Sequence, residues 1–147
     1  MSSYPFDSRL TDGVILRRIV ALLLDWFCIG VVFWGAALFI ALFGIFTLGI
    51  GWLAFHLLPW LPFAYYALLV GGTGATPGQR MVGLELRQDS DLAAPTLAQG
   101  FVWTLLLYIS FAFAGVPFLL ALLNPRKRAL HDMLSGLTVI RTRAFSY

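Results

Sequence analysis

Charge is what this chain has least of. Of its 147 residues only 12% are charged, about half the share usual in a soluble domain, while 60% are hydrophobic and mean hydropathy is +0.85. The shortage is uneven. From Ile19 to Gly72 there is no lysine or arginine, and Asp25 is the single acid. That excludes an ordinary solvated surface for the stretch. It is also too long for one crossing, since about 20 residues span the hydrocarbon core of a bilayer. Cysteine is nearly absent: Cys28 alone, inside an apolar run, excludes a disulfide or a CxxC pair and reads as a small apolar filler.

Other absences narrow the function. GGTGATPGQR at 71–80 is glycine-rich, but no G-x-x-x-x-G-K-[ST] can be drawn through it, and Gln79 stands where the phosphate-binding lysine is required. It reads as a turn leading into a strand. No Ser-His-Asp set, nucleophile elbow or kinase signature is present, so the chain is not expected to be an enzyme. The two histidines, His56 and His131, lie far apart without a nearby cysteine, so no metal or other cofactor is expected. A cleaved signal peptide is not expected either: Asp7, Arg9 and Asp12 precede an apolar run much longer than a 7–15-residue signal core, and the first helix should stay as an anchor.

What is present gives an all-α membrane fold of one domain's length. Residues 1–12 read as a cytoplasmic tail, 13–142 as the membrane domain and 143–147 as a second tail. Thr11-Asp12-Gly13 offers an N-cap for a helix over about 14–43. GIFTLGIG at 44–51 makes a tight turn, and a second helix follows over about 52–70, kinked by Pro59 and Pro62. Val82, Leu84 and Leu86 alternate with Gly83, Glu85 and Arg87, the period-two pattern of a strand. GLTVIRT at 136–142 alternates likewise, and the two are expected to pair as a small cytoplasmic sheet.

Between these strands lies a third apolar segment, 97–123, broken near 115–117. If it crosses once, five basic residues fall on each side; if it turns back at Ala114-Gly115-Val116-Pro117, all ten share one side. The positive-inside rule prefers the second arrangement, with the N-terminus cytoplasmic and the chain in the inner membrane. Length pulls the other way, because about 27 residues of helix reach roughly 40 Å, enough for one crossing and not for two. A re-entrant hairpin or broken helix reconciles the two. The net charge of +3 sits beside the apolar segments, so anionic lipid head groups rather than nucleic acid are the expected partners.

Two charged constellations remain. Asp25 lies inside the first apolar helix, where a lone aspartate costs about 2.5–3.5 kcal/mol near the centre, so it must face the bundle interior. Arg18 is seven residues earlier on nearly the same helical face and, with other basic groups near the boundary, is its expected neighbour. NPRKRALHDMLSG at 124–136 carries the second set. Arg128 and Asp132 are four apart, a spacing that suits an intrahelical pair, with Asp132 alternatively capping or fixing the entry to the second strand, and His131 adjoins Asp132 as a candidate proton relay.

RIVALLLD in the first helix, TPGQRMVGLEL in the loop and RALHDMLSGLTVIR near the C-terminus together resemble the RDD family of small bacterial membrane proteins, over roughly residues 13–142. The family takes its name from one arginine and two aspartates. The resemblance puts these at Arg18, Asp25 and Asp132, with Arg17 as the alternative for the first. One departure is Gln79, where the family's loop carries lysine after the glycine. The resemblance implies transport, with cation/proton antiport suggested for some members. Two functions therefore stay open. In one, the cluster of Arg18, Asp25, Asp132, Arg128 and His131, with Arg17 and Arg80 as secondary candidates, moves ions or small solutes within a homo-oligomer. In the other it is a structural clasp in a membrane scaffold, assembly or regulatory module.

Overall fold

The computed structural model describes residue 11 and residues 13–113, 115–124 and 127–142. Helix α1 runs over Val14–Phe46, 33 residues. A 3₁₀ stretch over Ile50–Trp60 leads into α2, Leu61–Thr73. Then come the short helix α3 (Pro77–Met81), strand β1 (Leu84–Gln88), α4 (Leu97–Ala112), a 3₁₀ turn (Val116–Leu119) with α5 (Leu120–Leu123), the short helix α6 (Leu130–Ser135) and strand β2 (Leu137–Arg141). The fold is mostly helical, with two helices long and apolar enough to cross a membrane, Val14–Phe46 and Ile50–Thr73.

Helix α1 starts on Gly13, which is left-handed and provides no side-chain cap. Of the expected Thr11-Asp12-Gly13 cap, Asp12 lies outside the described residues. The helix ends at Phe46, three residues later than expected, and Leu48 and Gly49 carry the positive φ angles that reverse the chain. The expected proline kink appears as a change of helix type. Pro59 lies in the 3₁₀ stretch, and the α-helix begins at Leu61 with Pro62 in its first turn, where a missing N–H costs nothing. Helix α1 presents large apolar side chains outward: Phe27 is 72% exposed and Trp34 74%. Such a surface suits acyl chains rather than water.

The expected strands form and pair antiparallel, with Leu86 opposite Val139. They are two halves of a repeated unit. In each, a short helix is followed by a left-handed glycine, Gly83 (φ 71°) or Gly136 (φ 69°), and then a strand beginning at Leu84 or Leu137. Thr76, Gln79, Gly83 and Leu86 correspond in spacing to Ala129, Asp132, Gly136 and Val139. Because Leu86 and Val139 are counterparts and also pair, a local two-fold axis passes between them. The flanking bonds obey it: Asp89 N–H donates to Gly136 O at 2.9 Å, and Thr142 N–H donates to Gly83 O at 3.0 Å.

The segment between the strands is not one continuous helix. Helix α4 stops at Ala112, Gly115 adopts φ 78°, and a 3₁₀ turn and a one-turn helix follow; Ala114 itself is outside the described residues. Helices α2 and α4 approach closely where Gly100 faces Gly71. A Cβ on Gly100 would strike the Gly71 backbone, so no larger residue fits there without moving the pair. Tyr66 and Val70 of α2, Trp103 and Leu107 of α4, Val14 of α1, and Leu84, Leu86, Leu137 and Val139 of the sheet form the buried core. The core thus sits at the sheet end of the bundle, where both charged constellations converge.

Candidate functional site

Helix α3 explains how an acid is kept inside α1. Pro77 occupies its first position, and Thr76 precedes it as N-cap. Gln79 N–H donates to the Thr76 hydroxyl oxygen at 3.3 Å, while Thr76 N–H donates to Gln79 Oε1 at 3.0 Å, completing a capping box. The Thr76 hydroxyl proton is then free to point outward, and it donates to Asp25 Oδ2. Gly78 N–H donates to Asp25 Oδ1 at 2.9 Å, and the Tyr65 hydroxyl donates to the same oxygen at 2.9 Å. A carboxylate at the start of a helix accepts N–H groups that have no intrahelical partner. Asp25 is 1% exposed.

This contact needs glycine at position 78. A Cβ there would lie 2.8 Å from the Asp25 carboxyl and would collide with the Ala21 carbonyl. Gln79 is buried, and its side-chain oxygen is an acceptor in the box, a role lysine cannot fill because its ammonium only donates.

Asp132 is met differently. It is 0% exposed, at the third position of α6, and its Oδ2 accepts the Ala129 N–H at 3.1 Å. The Arg18 guanidinium of α1 pairs with the same oxygen. Trp103 Nε1–H of α4 donates to Oδ1 at 2.7 Å, and His131 Nε2 stands 3.5 Å from that oxygen. The His131 ring meets Trp103 edge-on, with centroids 5.1 Å apart. One buried carboxylate therefore joins α1, α4 and α6.

Two expected pairings are corrected. Arg18 does not answer Asp25; its acid is Asp132, and among the described residues Asp25 has only uncharged donors. Arg128 does not pair with the Asp132 carboxylate, because it precedes α6 instead of lying within it. Its guanidinium donates to the Asp132 backbone oxygen at 3.3 Å and the Leu137 oxygen at 3.1 Å, and forms its ion pair with Asp89 at 3.0 Å. Arg17 donates to Val82 O, and Arg80 is exposed at the end of α3. His56 lies on the exposed side of the 3₁₀ stretch, its Nδ1 3.0 Å from Leu53 O. Tyr65, Thr76, Trp103 and Asp89 are the partners that sequence reasoning missed. Of these, only Thr76 carried a local signal, the T-P-x-Q capping pattern.

Arg18, Asp25, Gln79, Trp103 and His131 line one cavity of about 110 Å³ between the two acid sites. Among the described residues no group of three or more histidine, cysteine or acidic side chains could hold a metal ion. Burial lowers the His131 pKa from 6.5, aided by Arg18 and opposed by Asp132. Burial by itself would raise Asp132, but Arg18, His131 and the Trp103 bond hold it below the usual 3.8.

A helical membrane domain whose first span is bolted by two buried carboxylates to a small capped sheet is the class these features define. The RDD family model matches residues 13–136, and the chain belongs to the RDD family, which comprises membrane-associated bacterial proteins. No curated protein and no solved structure matches it.

Removing one partner of the buried pair strands the other charge, which typically costs roughly 3–5 kcal/mol. Asp132→Asn should therefore lower unfolding stability in detergent by about that amount. Arg18→Met combined with Asp132→Asn should cost less than the two single changes added together; strict additivity would refute the pairing.

The pKa shifts set a direction with pH. As pH falls through about 6.5, the unfolded chain protonates its histidine before the folded chain protonates His131, so stability is lost. Below 3.8 the same logic applies to Asp132, whose stabilisation is present above that value and lost beneath it. Melting temperature should fall in two stages on acidification, and His131→Gln should remove the upper one.

Proposed function

We propose that this chain is a multi-pass inner-membrane module in which the Arg/Asp cluster is a structural clasp, and that it serves as a scaffold, assembly or regulatory element and not as a carrier. The observation that supports this most strongly is the set of partners on Asp25. Three protein donors already engage its two oxygens, so an exchanging cation would have to compete with or displace them. Asp132 is likewise engaged by Arg18, Trp103 and the Ala129 N–H.

The membrane placement follows from lengths and charge. The part of α1 beyond Asp25, residues 26–46, spans about 31 Å, the thickness of the hydrocarbon core. Asp25 then sits at the boundary, where α3 covers it. The flanks of segment 97–123 meet in one sheet, which favours a hairpin that enters and returns over a single crossing. Every arginine among the described residues belongs to the sheet end, and the positive-inside rule makes that end cytoplasmic, in contact with anionic lipid head groups.

A second reading, cation/proton exchange through a homo-oligomer, rests on the cavity that borders Asp25 and His131. Two crossing helices and a hairpin are too few to wall a pathway alone, so copies would have to assemble. Proteoliposome flux of monovalent cations and protons in the native chain and Asp25→Asn separates the two. The clasp predicts no flux in the native chain and a destabilised variant. Native flux that disappears in a variant of unchanged stability would overturn it.

A further inference from the structure

We propose that the groove between the first turn of α1 and the end of α3 is a binding site for the phosphate of an anionic phospholipid head group. The groove has a volume of about 520 Å³ and is bordered by Arg17, Arg80, Thr73, Glu85, Met81 and Thr142. Arg17 gives one N–H to the Val82 carbonyl, which fixes its guanidinium in place. Arg80 has no ion-pair or hydrogen-bond partner for its side chain among the described residues. The one acid on the rim, Glu85, is already held by Arg87 at 3.1 Å. Among the described residues, two guanidiniums from separate elements thus face a space whose one acid is paired with another arginine.

The position equivalent to Asp89 across the local two-fold is Thr142, which is neutral and stands on this groove, so the repeat supplies no acid here. Guanidinium forks match phosphate oxygens in shape as well as in charge.

Position selects the source of that phosphate. Leu16 and Ile19, beside Arg17 on α1, are 70% and 53% exposed, and Met81 on the rim is 69% exposed. On the membrane reading Arg17 lies about 12 Å along α1 from Asp25, on the head-group side of the hydrocarbon boundary and beside these exposed apolar side chains. The site rests on that membrane placement and not on the clasp, since it includes neither Asp25 nor Asp132.

The test uses the full chain in mixed micelles and native mass spectrometry, with phosphatidylglycerol and phosphatidylcholine as competing probes. Phosphatidylglycerol should be retained in preference, and the preference should fall about fivefold for each of Arg17→Gln and Arg80→Gln. Lys127→Gln, which removes a charge outside the groove, should leave it unchanged. Melting temperature of Arg80→Gln should match the native chain. Equal retention of both lipids, undiminished retention in the double variant, or the same loss in Lys127→Gln would overturn the proposal. Displacement of the lipid by soluble glycerol phosphate would overturn its assignment to lipid. Reconstitution of the native chain into lipid nanodiscs scores the membrane placement separately.

Discussion

A carboxylate set into an apolar helix has to be met by donors, and in this chain the donors are brought to it by a separate helix. Asp25 is reached by the Thr76 hydroxyl and the Gly78 N–H from the start of α3, and by Tyr65 from α2. That requirement dictates much around it. Gly78 must lack a side chain so that α3 can lie on α1, the Thr76 hydroxyl must accept the Gln79 N–H while donating its proton to Asp25, and α2 must present a tyrosine at the right height. The same contacts orient α3, and α3 launches β1 through Gly83.

The two acids solve one problem in two ways. Asp25 is held by dipoles alone, which leaves no buried cation to compensate. Asp132 is held by a guanidinium as well as by dipoles, and so gains more from its pair and loses more when the pair is broken. Their hosts are related by the local two-fold, yet Gln79 stands where the other half has Asp132. One half therefore caps its short helix with a neutral amide and receives a carboxylate from α1. The other caps with a carboxylate and receives an arginine from α1. The exchange ties both halves to the same helix.

Much of the fold was legible. The long stretch without lysine or arginine marked the apolar helices, and period-two alternation marked the strands to within about two residues. Arg18, Asp25 and Asp132 were singled out together, but Arg18 was expected beside Asp25, whereas its ion pair is with Asp132. The partner of Asp25 was not legible, because spacing arguments see only neighbours on one helix, and Thr76 and Gly78 lie 51 and 53 residues away. Arg128 was misread for the opposite reason: its four-residue spacing from Asp132 counts only if both are helical, and α6 starts after it. The repeat escaped because its two copies share little beyond a glycine and the apolar alternation that follows it, while the cap residues Thr76 and Ala129 differ.

The most direct test of the central claim is a double-mutant cycle between α1 and α3, with Asp25→Asn and Thr76→Val measured alone and together by unfolding in detergent. Contacting groups in one network couple by about 0.5–3 kcal/mol. Coupling in that range is the result predicted if the α3 cap is what accommodates the acid. Additive losses, within about 0.3–0.5 kcal/mol, would mean that the two side chains act independently and would contradict the account.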